Sequence, residues 1–172
     1  ASLAIDQKKD VQNVPVASIR KVQTEDPLAD GSIPEILVDN ADAQAVRVTG
    51  DWKLMKGGYG KDYLADTTHS ATASVMYTPK ISRKASYQVY SYVTHSAKIS
   101  RKTDYEIDLN GKKTHKPVDF SDMKVVGQTS GEWVNLGELA LSPADKLSIT
   151  ISNKDASGFT IADALLLVPV KQ

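Results

Sequence analysis

The 172-residue sequence predicts an all-β fold, an antiparallel β-sandwich of jelly-roll or related type, preceded by a short helical segment. Three observations carry that expectation. Beyond Pro34, short apolar runs alternate with polar residues and are cut about every ten residues by Gly, Pro, Asn, Asp and Ser clusters. No segment in that region sustains a helical apolar period over about ten residues. A hydrophobic content of 41% with 24% charged residues is that of an ordinary globular domain with one core.

The first thirty or so residues read differently. "ASLAIDQKK" and "VPVASIRKVQ" have the spacing of short helices, the second with Pro15 in its first turn and Val16, Ile19 and Val22 at helical intervals. "TEDPLADGSIP" then has linker composition, which sets a boundary near Pro34: residues 1–34 a helical tail, residues 35–172 the sandwich. The strands expected beyond it are Ile36 to Asp39, Ala45 to Thr49, Ala71 to Thr78, Tyr87 to Val93, Tyr105 to Leu109, Pro117 to Phe120, Glu132 to Leu141, Leu147 to Ser152 and Phe159 to Val168. "KLSITIS" shows the pattern: Leu147, Ile149 and Ile151 take one face, Ser148, Thr150 and Ser152 the other. In "YQVYSYV", Tyr87, Val89 and Val93 oppose Tyr90 and Tyr92.

The pentapeptide Lys-Ile-Ser-Arg-Lys occurs at Lys80 and again at Lys98. Each copy lies between two expected strands, and consecutive connections of an up-and-down run fall at opposite ends of a sandwich. The copies are therefore read as connecting turns that do not converge on one ligand, the first sharing an end with Lys112 and Lys113.

Composition excludes several classes of chemistry. The chain has no cysteine, which removes thiolate nucleophiles, Cys-ligated zinc and disulfides together. Formal net charge is +0, although nine Lys and Arg face three carboxylates between Lys80 and Lys116; a dedicated nucleic-acid binder is usually basic throughout, so no nucleic-acid partner is expected. The longest apolar run, Ala162 to Val170, is interrupted by Asp163 and Pro169 and falls short of the roughly 20 residues of a spanning helix, so membrane insertion is not expected. Ala1 to Ile5 is too short for the apolar core of a signal peptide and is followed by charge, so any such peptide is expected to have been removed or to lie upstream.

His69, His95 and His115 are the only groups suited to proton transfer near neutral pH, and they are read as surface or strand-end residues. No nucleophile elbow, zinc helix, phosphate loop or dinucleotide fingerprint accompanies them, so no catalytic residue, metal ligand or cofactor is assigned. In "VDNADA", Asp39, Asn40 and Asp42 present alternate oxygens either to a hard cation such as calcium or, in the favoured reading, to nearby backbone N–H groups of an Asx-type turn. Asp163 interrupts "FTIADALLLVPV", where an acid must face solvent or be paired, and its expected role is to tie the last strand to a neighbouring loop.

Aromatic faces grip sugars because a pyranose ring presents C–H groups that pack on a π-face. Trp52, Tyr59, Tyr63, Tyr90 and Tyr92 are the candidates for ligand binding, with Tyr59 in the glycine-rich "KGGYGKDY" as the best exposed platform. Trp133 in "GEWVNLG" is a further candidate aromatic whose favoured place is the core, which with only two Phe must recruit other aromatics.

"ILVDNADAQAVRVTGDWKL", "GYGKDYLAD", "SATASVMYTP", "ASYQVYSYV", "GEWVNLGELAL" and "GFTIADALLLVPV" follow the order and spacing of the golvesin C-terminal-like domain, also described as a xanthan-lyase carbohydrate-binding-like module. The resemblance covers about Ile36 to Pro169. It implies a galactose-binding-like β-sandwich, exported in bacteria to the periplasm or extracellular space, without a cofactor, attached to a catalytic domain acting on polysaccharide or another polymer. "ASLAIDQKKDVQNVPVASIRKVQTEDPL" resembles the C-terminal end of a secreted FAD-dependent oxidoreductase domain, which implies an upstream catalytic domain as partner, with the flavin bound there. The functional expectation is a non-catalytic accessory module that targets a glycan; the alternative is a purely structural domain that packs on the upstream enzyme.

Overall fold

The computed structural model describes residues 33–68, 72–94, 99–100, 102–120 and 131–170, and these form twelve strands with every strand pair antiparallel. They are β1 (Ile36–Val38), β2 (Val46–Thr49), β3 (Lys53–Lys56), β4 (Asp62–Asp66), β5 (Ser74–Tyr77), β6 (Ala85–Thr94), β7 (Lys102–Leu109), β8 (Lys112–Asp119), β9 (Gly131–Leu141), β10 (Leu147–Ser152), β11 (Thr160–Ala162) and β12 (Leu165–Pro169). A four-stranded sheet, order β1-β12-β6-β9, faces a five-stranded sheet, order β2-β5-β10-β7-β8. A small third sheet, β11-β4-β3, stands beside them. The all-β sandwich expected from strand alternation is the fold observed. The helices expected within residues 1–34, and with them His69 and His95, lie outside the described residues.

Alternation sets the core. In β10, Leu147, Ile149 and Ile151 point inward and are matched across the ladder by Leu109, Ile107 and Tyr105 of β7 and, for the last two, by Tyr77 and Val75 of β5. From the opposing sheet Tyr87, Val89, Val93, Leu165 and Leu167 complete the same cluster. Tyr77, Tyr87 and Tyr105 are fully buried, which answers the shortage of Phe. Each keeps its hydroxyl paired, as a buried phenol requires: Tyr77 Oη donates to the Asp163 carbonyl at 2.7 Å, Tyr87 Oη to the Arg83 carbonyl at 2.7 Å and Tyr105 Oη to Ser91 Oγ at 3.1 Å. Burial pushes the Tyr105 phenol up to about 12, with the Ser91 hydrogen bond pulling the other way.

Three strand expectations change. β3 and β4 form a hairpin that alternation does not reveal, because β3 is exposed apart from a half-buried Met55 and has no inward face to mark. The strand expected at Pro117 to Phe120 is the end of the longer β8, whose exposed Lys and His residues hide it. The single run Phe159 to Val168 divides at Asp163: β11 pairs with β4 in the small sheet and β12 with β6 in the large one. The chain therefore changes sheets at the acid.

The two Lys-Ile-Ser-Arg-Lys copies lie at opposite ends. Lys80 and Ile81, on the β5–β6 connection, line a groove of about 710 Å³ together with Asn110 and Gly111 of the β7–β8 turn. Ser100 of the second copy lies beyond the other end of β7, an eight-residue strand roughly 25 Å long. It is buried, donates to the Lys102 carbonyl at 2.7 Å and accepts from Ser157 N at 3.0 Å. Both copies close connections, and neither faces the other.

Candidate functional site

β12 is buried on both faces. Leu165 and Leu167 enter the main core, while Leu166 and Val168 point to the outer face of the four-stranded sheet, where they join Ala164, Tyr92 and Trp133 in a second apolar cluster. Tyr92 and Trp133 are direct partners across the β6–β9 ladder, so their rings meet, with centroids 5.2 Å apart and planes at 76°. The ring of Tyr59 closes the triangle at 5.5 Å from Tyr92 and 5.1 Å from Trp133, both edge-to-face. Such pairs add about 0.5–1.5 kcal/mol each beyond area burial. Half-buried Tyr90 packs against the same cluster.

Tyr59 comes from the β3–β4 turn, and the turn is shaped by its glycines. Gly57 and Gly58 hold φ of +104° and +85°, a region that side chains with a Cβ rarely adopt. A Cβ on Gly58 would also collide with Asp163 Oδ2, whereas one on Gly57 would meet nothing within 4 Å. The backbone approaches the acid closely for a reason: Tyr59 N donates to Asp163 Oδ2 at 2.8 Å, and Thr94 Oγ1 donates to the same oxygen at 3.3 Å. Asp163, fully buried at the point where the chain changes sheets, thus holds the loop that presents Tyr59.

Burial raises the Asp163 carboxyl to about 7, opposed by the Tyr59 and Thr94 hydrogen bonds and assisted by the charges of Asp39 and Asp62. The same neighbourhood acts on Tyr77, whose phenol is raised by burial first and then by Tyr105, Asp163 and Asp39. Asp39 Oδ2 accepts from Ala41 N at 3.2 Å and Asp42 Oδ1 from Gln44 N at 3.2 Å, the Asx-turn geometry. Asn40 departs from that pattern and reaches across to β4, donating from Nδ2 to Asp62 Oδ1 at 2.8 Å.

Of the residues nominated as sugar platforms, the structure brings Tyr59, Tyr90 and Tyr92 into one cluster. Tyr92 is only 6% exposed and packs edge-to-face with the Tyr59 and Trp133 rings. Tyr63, in β4, adjoins Gly58 and is half-buried. Trp52 lies at the far end of the β3–β4 hairpin, about four residues or roughly 13 Å of strand from the Tyr59 turn, packs on the main core and donates from Nε1 to the Thr49 carbonyl at 2.9 Å. It does not share a surface with Tyr59. Trp133, for which the core was the favoured place, is buried at 5% exposed in the second apolar cluster; only the ladder register, which pairs it with Tyr92, distinguishes that cluster from the main core.

His115 is half exposed, with Nδ1 3.1 Å from Asp104 Oδ2 and Nε2 3.4 Å from Glu106 Oε2. It lies on the exposed strand β8, in the five-stranded sheet, apart from the aromatic cluster. Among the described residues no three His, Cys, Asp or Glu side chains gather closely enough to hold a metal by themselves, and no helix is long and apolar enough to cross a membrane.

Two antiparallel sheets around a tyrosine-rich core, with an aromatic cluster on an outer sheet face, define a β-sandwich with the fold of a carbohydrate-binding module. A family 35 carbohydrate binding module from Clostridium thermocellum aligns with 80% of this chain and 99% of its own at a TM-score of 0.56 and 13% identity, a likeness of fold alone. The chain belongs to the golvesin C-terminal domain family, which it matches over residues 36–169. It is 30% identical over 145 residues to a xanthan lyase of Bacillus sp. (strain GL1), covering 80% of this chain and 15% of that protein. The structure of Paenibacillus xanthan lyase aligns with 80% of this chain and 13% of its own at a TM-score of 0.68 and 27% identity. The chain thus spans 15% of the length of the curated relative it matches.

Proposed function

We propose that this chain is a non-catalytic, carbohydrate-binding-like accessory module of an exported bacterial enzyme, and that it presents Tyr59, with Tyr90 beside it, to a glycan. The observation that carries the reading is the buttressed Tyr59 ring: half-buried, edge-on to Tyr92 and Trp133, on a loop fastened by a buried carboxylate. A platform held this rigidly loses little conformational freedom on stacking. Likeness to carbohydrate-binding modules in fold and to xanthan lyases in sequence supports the same reading. Titration calorimetry against a glycan array tests it. Tyr59→Ala abolishes binding with the fold intact, while Trp52→Ala, away from the cluster, leaves affinity unchanged; a glycan bound equally by wild type and Tyr59→Ala overturns the assignment.

A second reading rests on Leu37. It is 43% exposed and pairs with Leu166 on β12, so it prolongs the outer apolar face to the sheet edge. In that reading the face packs on an upstream catalytic domain of the same polypeptide and binds no sugar. Deleting residues 36–172 from the full-length protein then lowers the stability or activity of the remainder, and no glycan binds the isolated module.

A further inference from the structure

The end of the sandwich remote from Tyr59 carries the first Lys-Ile-Ser-Arg-Lys copy and the groove beside it. We propose that this groove is a second binding site, which takes an acidic polysaccharide chain through Lys80, Lys84 and Lys146. Its walls are three connections: the β5–β6 segment with Lys80, the β7–β8 turn at Asn110 and Gly111, and the β9–β10 turn with Pro143 and Lys146. A neighbouring groove of about 440 Å³ is lined by Lys84, Ala85, Leu141 and Ser142. Asp145 lines both, so the two adjoin and form one elongated track, a shape that suits a chain better than a compact ligand.

The walls are fixed before anything binds. Asn110 and Gly111, at φ of +55° and +89°, form the Asn-Gly pair of a tight hairpin turn. Asn110 clamps that turn to the next one: its N donates to the Lys146 carbonyl at 2.8 Å, its Oδ1 accepts from Lys146 N at 2.8 Å, and its Nδ2 donates to Asp145 Oδ1 at 2.9 Å. Such pre-organisation lowers the ordering cost of binding.

Charge selects the class of ligand. Two carboxylates line the track, but both are spent on the turns: Asp145 Oδ2 accepts from Ser142 N at 2.7 Å, and Asp108 Oδ1 from Gly111 N at 2.8 Å. The ammonium groups are not spent, because none of Lys80, Lys84 and Lys146 forms an ion pair among the described residues. Lys113, opposite Asp108 across the β7–β8 ladder, adds a cation on the flank. Lysines are hydrated point charges that suit separate carboxylates along a chain, whereas bidentate capture of phosphate uses guanidinium forks. No aromatic ring among the described residues lines either groove, so the base stacking on which single-stranded nucleic acid relies is missing. Thr78, Ser142 and Ser148 supply partners for sugar hydroxyls, and Met76, Pro79 and Pro143 apolar surface for sugar C–H groups. Lys84 immediately precedes β6, and Tyr92 lies seven residues beyond Ala85, roughly 23 Å along the strand. The site is therefore separate from the Tyr59 platform and does not depend on that reading.

The test titrates oligogalacturonate, a chain of uronates, into the full 172-residue chain by calorimetry. Lys80→Gln and Lys146→Gln, at exposed positions where the fold survives, each weaken binding about threefold, and the double variant about tenfold. Lys154→Gln, exposed beyond the opposite end of β10, and Tyr59→Ala leave it unchanged, so failure of this site and failure of the Tyr59 platform are read separately. In the Tyr59→Ala background a neutral galactose chain of the same length does not bind. No binding of the uronate chain, or equal affinity in wild type and the double lysine variant, overturns the site. Equally tight binding of the neutral chain in that background, or of polyglutamate, overturns the assignment to an acidic saccharide.

Discussion

Gly58 and Gly57 are neighbours in one turn, both at positive φ, and they separate backbone strain from the contact that holds the Tyr59 loop. An alanine at Gly57, where a Cβ has open space, adds only the strain of positive φ, about 1–2 kcal/mol, partly offset by the stiffer unfolded chain. An alanine at Gly58 carries the same strain and also drives its Cβ into Asp163 Oδ2, with Tyr63 Cδ1 and Thr94 Oγ1 at 3.0 and 3.1 Å on the other sides. The oxygen is buried on the β12 side and cannot retreat, so the loop must lift and the 2.8 Å bond from Tyr59 N is lost. Losing a hydrogen bond to a charged, buried acceptor costs about 1.5–3 kcal/mol more. Gly58→Ala therefore destabilises by about 3–4 kcal/mol and Gly57→Ala by about 1, read from urea unfolding midpoints at unchanged slope. The lifted loop also separates Tyr59 from Trp133, so near-ultraviolet circular dichroism changes in Gly58→Ala and not in Gly57→Ala. Equal destabilisation by the two alanines refutes the view that close approach to Asp163 shapes this loop.

The carboxyl of Asp163 predicts the sign of the pH response. Its folded-state value of about 7 lies above the ordinary 3.8, so the folded state holds the proton more tightly and stability is lost as pH rises between those values. At about 1.4 kcal/mol per pH unit over roughly three units, the loss is about 4 kcal/mol, and Asp163→Asn flattens the profile. Unfolding free energies at pH 4, 6 and 8 check it; a wild type that gains stability across that range contradicts the assignment. Binding of an acidic glycan through Lys80, Arg83, Lys84, Lys112 and Lys113, a basic patch separate from the Tyr59 cluster, would weaken as salt rises past the Debye regime of physiological buffer. Salt-independent affinity, measured by calorimetry from 50 to 500 mM sodium chloride, excludes that patch.

The part of the molecule legible in the sequence is the part governed by period and composition. Where one face of a strand is buried, as in Leu147 to Ser152, alternation states both the strand and its inward residues. Where neither face is marked, as in Lys53 to Lys56, or where charge covers the strand, as in Lys112 to Lys116, period-two reading has nothing to detect. The candidate site was legible as a set of residue types: an aromatic in a glycine-rich loop, an acid inside an apolar run, a cluster of Asp and Asn after the first strand. Its arrangement was not.

The sequence by itself determined that the chain forms layered sheets, that its core must enlist tyrosines because Phe is scarce, that thiol chemistry is absent and that the golvesin-like order of segments runs from residue 36 to residue 169. Tertiary structure alone decided that Tyr92 and Trp133 pack against Tyr59, that Trp52 stands apart and that Asp39 and Asp163 face one loop. The physical reason is that intrastrand period is a local property of the chain. Ladder register and the change of sheet at Asp163 arise from pairing between segments distant in sequence, here Tyr92 with Trp133 and Tyr59 with Asp163.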